Sequence, residues 1–337
     1  MKYLINLLLI ILLSTGATIA QNNDFYDDSE TFPLKGAQII DIRGELTNSG
    51  KVDITKFPKH SIIVKEAVFD ADSAKFIGAY RYDGYSLFDI LNDKVVKKIN
   101  YATFPQVIDL YVIIENDKGD SVVLSWGEIY YPVHLHDILI ATSVARIVPS
   151  KTKDLWPLPE QTKLVIGHDL ISERNISNPI KITVKSAKLD IPINRELSPL
   201  FSPSINILVN EKRAGSISTL NKALPSSTYN TIFYGRGRGI HGITTFSGLP
   251  LKQVLKSFVK SDSAEVKKGL VLISALDGYR GVFSFSEIFN RNDQSEILVV
   301  EEPENKDGGA FRIFASSDFF SDRAVKAIKE IRFRMIR

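Results

Sequence analysis

Ser125-Trp126-Gly127-Glu128-Ile129 returns in the second half of this chain as Ser284-Phe285-Ser286-Glu287-Ile288. A second set of residues recurs with identical spacing, since Asp169, Arg174 and Ile182 are matched by Asp318, Arg323 and Ile331. Chance rarely preserves both the order and the spacing of several segments. Because the interval is as long as a domain, the pattern predicts two tandem copies of one fold rather than a solenoid of short repeats.

Strand signals dominate both halves. Short runs rich in Val, Ile, Phe and Tyr, such as residues 108–114 and 270–274, are separated by Gly, Asn, Asp or Pro. Helical patterns are few and short. We therefore expect an α+β fold with β-rich mixed sheets and short helices, built once over residues 33–184 and again over residues 187–337.

Residues 1–20 have the pattern of a secretory signal peptide. Lys2 provides a positive start, residues 4–13 are almost wholly apolar, and a segment of small residues ends at Ala20, which predicts cleavage after Ala20. An N-terminal membrane anchor is the alternative, although the apolar run is shorter than the ~20 residues that a spanning helix needs. Residues 21–32 are polar and predict a flexible lead-in. The expected location is periplasmic or secreted, with no transmembrane segment after signal cleavage.

Composition narrows the class of protein. The chain has no cysteine, so it can form no disulfide and cannot be anchored through an acylated cysteine. Domains of ~150 residues bury enough apolar surface to fold without disulfides. The net charge is +3 and the basic residues are dispersed. Because no basic stripe interleaved with aromatic residues is present, we expect no nucleic-acid partner.

Motifs of the second half follow one another in a fixed order. They are Gly-Arg-Gly-Arg at 235–238, Phe-Ser-Gly-Leu-Pro-Leu at 246–251, Asp-Gly-Tyr-Arg at 277–280, Ser284 with Glu287, and Asp318 with Arg323. In this order they resemble the molybdopterin-binding domain of the sulfite oxidase family, and the first half matches more weakly. The resemblance implies two tandem sulfite-oxidase-like domains and, as cofactor, molybdopterin or a related pterin.

The metal-binding cysteine of that family is missing. The resemblance places its position near Phe233 in the second half and near Val68 or Phe69 in the first. These side chains cannot coordinate molybdenum, a metal that a soft thiolate suits. Oxygen-atom transfer at a thiolate-bound molybdenum is therefore not expected, which leaves the scaffold alone or the scaffold with pterin binding.

The glycine-arginine loop is the best candidate for a ligand site. Alternating glycines allow backbone N–H groups to approach an anion, and arginine offers paired donors to a phosphate. The alternative is a flexible loop with solvated arginines. The predicted cofactor-binding residues are Arg236, Arg238, His241 and Arg280.

A histidine pair suggests a different site. On a strand, His134 and His136 would point to the same face, and His168 or Asp169 could complete a zinc or iron site. The alternative is two surface histidines in a hairpin. The predicted metal ligands are His134, His136 and His168.

The recurring acidic residues have a structural interpretation. Asp169 with Arg174, and Asp318 with Arg323, predict a buried ion pair or a loop clamp in each half. Glu128 and Glu287 are expected to cap or brace a short helix that follows a strand.

These observations favour a non-catalytic protein that binds a pterin-like or other anionic small molecule, or a protein partner. One alternative is an active molybdopterin-dependent oxidoreductase with a non-cysteine metal environment. Another is a zinc- or iron-binding protein that uses the His134/His136 pair. The pattern identifies no catalytic residue.

Overall fold

The computed structural model of the protein describes residues 30–71, 73–305 and 308–337. The predicted signal peptide and nearly all of the predicted lead-in lie outside the described residues. Within those ranges, no helix is long and apolar enough to cross a membrane.

Strands make up most of the ordered structure, and they are numbered here along the chain. Their bounds are β1 Phe32–Pro33, β2 Ile39–Gly44, β3 Gly50–Asp53, β4 Lys59–Asp70, β5 Ser73–Ser86, β6 Leu110–Asn116, β7 Ser121–Ser125, β8 Ile138–Arg146, β9 Lys163–Ile166, β10 Pro179–Ser186, β11 Ile205–Val209, β12 Lys212–Ile217, β13 Ser227–Gly235, β14 Gly239–Pro250, β15 Gly269–Ala275, β16 Arg280–Ser284, β17 Ile297–Glu301, β18 Phe311–Ala315 and β19 Ile328–Met335.

The helices are all short. The α-helices are α1 Leu87–Asn92, α2 Trp126–Tyr130, α3 Leu251–Leu255, α4 Ser263–Lys268 and α5 Phe285–Phe289, and the 3-10 turns are Ile54–Lys56, Val107–Asp109, Ser172–Arg174 and Ser321–Arg323.

The strands form four sheets. The first has the order β1-β8-β5-β4 with β9 on β8, the second β3-β2-β10-β6-β7, the third β12-β11-β19-β15-β16 and the fourth β13-β14-β17-β18. The second and third sheets share one plan, because each holds a parallel pair, β2 with β10 and β11 with β19. Together the four small sheets form a four-bladed β-propeller.

The prediction of an α+β fold made of two tandem sulfite-oxidase-like copies is therefore wrong. Strands account for 47% of the structure and helices for 13%, and the sheets form a single propeller. The physical reason lies in what covers the apolar strands. An apolar run indicates burial without showing whether a helix or another sheet buries it.

Strands β6 and β7 of the second sheet pack against β15 of the third sheet. In β6, Val112 and Ile114 point into the core of the first half, whereas Ile113 points the opposite way. In β15, Leu270 and Leu272 meet Ile113 and Val123 from the other half. Since successive side chains of a strand alternate between faces, both faces of these central strands are buried, and each half is packed against the other.

The helices that follow β7 and β16 each begin with a capping box. The Ser125 hydroxyl accepts a hydrogen bond from the Glu128 N–H at 2.9 Å, and the Glu128 carboxylate accepts one from the Ser125 N–H at 2.7 Å. Ser284 and Glu287 repeat the arrangement at the start of α5. The prediction that Glu128 and Glu287 brace a short helix after a strand is confirmed.

Candidate functional site

Two buried arginines lie between the halves. Arg174 is fully buried and binds the Asp169 carboxylate at 2.7 and 2.8 Å and the Glu128 carboxylate at 3.0 and 3.1 Å. Arg323 binds the Asp318 carboxylate at 2.6 and 2.8 Å and one oxygen of Glu287 at 2.8 Å. The predicted buried ion pairs are confirmed, and each is extended by a second carboxylate from the capping box of its own half.

The two arginine networks are cross-linked. Arg174 donates a hydrogen bond to the Ser284 hydroxyl at 3.2 Å, and Arg323 donates one to the Ser125 hydroxyl at 3.1 Å. Each arginine thus reaches the helix-capping serine of the opposite half. Gly127 allows this approach, because a Cβ there would lie only 2.3 Å from the Arg323 guanidinium carbon.

One histidine makes the two networks electrostatically unequal. Burial raises the pKa of Glu128, but Arg174 and the His168 hydrogen bond outweigh it, so that the pKa of Glu128 falls to about 2. Burial raises the pKa of Glu287, and Arg323 offsets only part of this effect. The second half has Ser317 where the first has His168. His168 therefore serves the buried network and lies apart from the other histidines with which it was predicted to bind a metal.

Replacing His168 with alanine is expected to weaken the acid dependence of stability. A carboxylate with a lowered folded-state pKa stabilises the protein above its unfolded-state value, and that stabilisation is lost as pH falls through the folded-state pKa. Without His168 the pKa of Glu128 lies closer to its ordinary value, so less stability is lost between pH 6 and pH 3. Urea unfolding at both pH values measures the difference. His241→Ala is the control, and an unchanged difference in His168→Ala would contradict the assignment.

The glycine-arginine loop is the tip of the hairpin formed by β13 and β14. Tyr234 pairs with Ile240 and Gly235 with Gly239, and Gly239 has a φ of 73°, which favours glycine. Gly235 also makes room for His241, since a Cβ at residue 235 would lie 2.6 Å from its Nε2. The hairpin thus holds Arg238 on a defined turn and His241 near the start of β14.

A cavity of about 370 Å³ lies beside this hairpin tip. Arg238 and His241 line one side, and the turn before β16 contributes Asp277 and Tyr279. Arg195, from the segment that joins the halves, also lines it and pairs with Asp277 at 3.0 Å. Its size is within the range of ~300–1,000 Å³ that is usual for small-molecule sites.

The charges around the cavity suit a ligand with both an acceptor and a donor. Arg238 is exposed and forms no ion pair with any residue of the described ranges. Asp322 also lines the cavity, and its Oδ2 atom is buried without a hydrogen-bond partner among those residues. Burial raises the pKa of Asp322, and Arg236 offsets only part of this rise. A cleft carboxylate with a perturbed pKa is a functional candidate.

Two of the four predicted cofactor-binding residues lie outside this lining. Arg236 points toward Asp322 from the outside, at 3.7 Å, and lies over the Tyr131 ring. Arg280 is buried elsewhere, where its Nε lies 3.4 Å from the Asp109 carboxylate and its guanidinium stacks on Phe104. Arg280 therefore lies apart from the cavity although it directly follows Tyr279, because neighbouring residues at a strand start point in opposite directions.

The predicted histidine site is also rearranged. Residues 134–136 lie in a turn before β8 rather than on a strand, so His134 and His136 do not share a strand face. His134 is exposed, whereas His136 lies against His60 and Asp89. Sequence reasoning missed His60, Asp89, Arg195 and Asp322. Asp322 lies next to the recurring Arg323, and Asp89 lies within residues 84–91, which resemble residues 248–255, but neither aspartate was itself predicted to belong to a site.

Comparison with known proteins gives little further information. No family model matches the chain, and no curated protein does. Among solved structures, the chain is distantly similar to the sulfane dehydrogenase SoxCD from Paracoccus pantotrophus, with 8% identity, 88% of this chain and 80% of that chain covered, and a TM-score of 0.31. At this similarity no residue of the chain can be equated with a residue of that enzyme.

Proposed function

We propose that this protein binds a small organic anion in the cavity beside the β13–β14 hairpin. Two observations carry the proposal. Arg238 has no counter-ion in the described ranges, and Asp322 Oδ2 accepts no hydrogen bond there, its nearest cation being Arg236 at 3.7 Å. A ligand that bears a phosphate or carboxylate and also an N–H or O–H donor satisfies both.

A pterin that carries a phosphate ester is the ligand class we favour. Its phosphate suits Arg238 and His241, its ring N–H groups suit Asp322, and its flat ring suits the aromatic side chains of Phe233 and Tyr279 in the lining. The sequence resemblance pointed to the same class. The proposed location is periplasmic or extracellular, on the strength of the N-terminal pattern.

The residues of the cavity do not fit thiolate-bound molybdenum. Phe233 lines the cavity at the position that the resemblance assigns to the metal-binding cysteine, and the sequence contains no cysteine. We therefore propose binding without oxygen-atom transfer, and we derive no catalytic step for this site.

Substitution of Arg238 by alanine is expected to weaken binding of a phosphorylated pterin by about 10- to 100-fold, the loss of one charge-assisted contact worth ~1.5–3 kcal/mol. Quenching of pterin fluorescence on titration measures the affinity. Asp322→Asn should weaken binding of the pterin and leave inorganic phosphate, measured by calorimetry, less affected, because Asp322 is assigned to the ring.

Arg213→Ala is the matched control. Arg213 is an exposed arginine on β12, so its removal changes the net charge equally without altering the cavity. If Arg213→Ala and Arg238→Ala weaken pterin binding equally, the affinity depends on net charge alone and the proposal is contradicted. Failure of the wild-type protein to bind either probe would also overturn it.

A further inference from the structure

His60, Asp89 and His136 meet on the first half of the chain, away from the cavity beside the hairpin. His60 is near the start of β4, Asp89 is in α1, and His136 is in the turn before β8. One potential ligand atom from each residue lies within 4.8 Å of the other two. Three separate elements therefore bring together two imidazoles and one carboxylate.

The separations of these atoms approach those of a metal site. His60 Nε2 lies 2.8 Å from Asp89 Oδ2, and His136 Nδ1 lies 3.6 Å from the same oxygen. Ligand atoms about 2.0–2.1 Å from a tetrahedral zinc ion are separated from one another by about 3.3 Å. The two distances lie on either side of this value. Because the His60 and His136 rings are stacked, binding one ion also requires at least one imidazole to turn out of the parallel arrangement, so that the ion lies in the plane of each ring.

The ring arrangement leaves one nitrogen unexplained. His60 and His136 stack with their centroids 3.9 Å apart and their planes within 9°, and one nitrogen of each ring faces the Asp89 Oδ2 atom. His136 Nδ1 is buried and has no hydrogen-bond partner among the described residues. Burying a polar atom without a partner is costly, and a metal ion would satisfy it. Phe88 packs edge-on against the His136 ring and helps to hold its orientation.

The group is open on one side. The side chains of His60 and Asp89 are 25% and 18% exposed, and that of His136 is 41% exposed. Zinc sites with three protein ligands keep the remaining position for water or another small ligand, whereas purely structural sites use four protein ligands. Imidazole and carboxylate donors without thiolate suit divalent first-row transition metals.

We propose that His60, Asp89 and His136 bind one divalent transition-metal ion, of the zinc class, through His60 Nε2, His136 Nδ1 and Asp89 Oδ2. His134 and His168 take no part. The remaining coordination position faces solvent, so the bound ion is accessible to water and small anions. This site is independent of the cavity beside the hairpin.

Isothermal titration of tag-free, chelator-treated protein with Zn²⁺ tests the proposal. We expect one ion per chain for the wild type. Loss of an outer-shell partner costs 10- to 100-fold in metal affinity, so loss of a direct ligand in His136→Ala should weaken binding by at least about 100-fold. His134→Ala, which removes an exposed histidine two positions away, is the matched control and should bind as the wild type does.

A second readout separates metal binding from folding. Zinc should raise the melting midpoint of the wild type and of His134→Ala, and should leave those of His136→Ala and Asp89→Asn unchanged, whatever their midpoints without metal. Cobalt substitution should give visible absorption bands in the wild type that His136→Ala lacks. Stoichiometric binding that survives in His136→Ala, or no binding by the wild type, would overturn the proposal.

Discussion

Replacing Arg174 with methionine will lower the free energy of unfolding by about 3–5 kcal/mol, as expected when one partner is removed from a buried ion pair. Glu128 and Asp169 are both almost fully buried, and both bind this guanidinium. Without Arg174 both buried carboxylates lose the guanidinium that compensates their charge. Methionine keeps a similar length and volume, so the measured loss reflects charge rather than a cavity.

Urea unfolding of the variant, followed by far-UV circular dichroism, measures this loss. Arg213→Met is the control, because Arg213 is exposed on β12, and its midpoint should stay near that of the wild type. Arg323→Met should behave as Arg174→Met does, since its contacts correspond. A loss below ~1 kcal/mol for Arg174→Met would mean that the buried carboxylates are protonated or solvated, which contradicts the network described.

Replacing Asp109 with asparagine is expected to lower the free energy of unfolding by a similar ~3–5 kcal/mol. Here the substitution removes a buried anion, whereas Arg174→Met removes a buried cation. Asp109 is fully buried between two cations, with its carboxylate 2.5 Å from Lys98 Nζ and 3.4 Å from Arg280 Nε. Burial lowers the pKa of Lys98, and Asp109 opposes this effect. Asparagine keeps the shape but removes the negative charge that both buried cations contact.

The control for Asp109 is an exposed ion pair. Asp41 pairs with Arg43 at 2.6 Å, but these side chains are 24% and 65% exposed, so Asp41→Asn should cost no more than ~1 kcal/mol. If urea unfolding shows that Asp109→Asn and Asp41→Asn lower the free energy of unfolding equally, burial does not account for the effect of Asp109. Since Asp109 and Arg280 come from opposite halves, the same carboxylate also links the halves.

Local features were predictable from the sequence. The recurring serine and glutamate predicted the capping boxes of α2 and α5, because a helix start needs an acceptor at the cap and a partner three residues later. The fixed spacing of Asp169 and Arg174 predicted their ion pair, which a single 3-10 turn brings together. Contacts of this kind depend on residues only a few positions apart.

The fold class could not be predicted in the same way. Residues 270–273 are apolar without alternation, a pattern that indicates burial on both faces, and we expected two tandem copies of one fold. Instead Leu270 and Leu272 pack against Ile113 and Val123 from a sheet of the other half. The hydrophobic effect is not directional, so burial alone does not specify the covering element.

The candidate sites likewise combine residues that local motifs predicted with residues that only the fold brings together. The glycine-arginine motif located one wall of the proposed anion cavity, but Asp322 and Arg195 reach it only through the 3-10 turn before β19 and the segment between the halves. The sequence also placed Arg280 beside Tyr279, whereas the fold buries Arg280 against Asp109. His60 and Asp89 are 29 positions apart and meet only because β4 and α1 converge.

By itself the sequence therefore determined the strand-rich composition, the recurring capping boxes, the acid–arginine pairs and the glycine-arginine turn, all of which depend on short-range spacing. Only the tertiary structure decided that each arginine reaches the capping serine of the opposite half, that four sheets form one propeller, and which charges line a cavity. Those outcomes follow from packing and charge burial between distant segments, and spacing along the chain does not encode them.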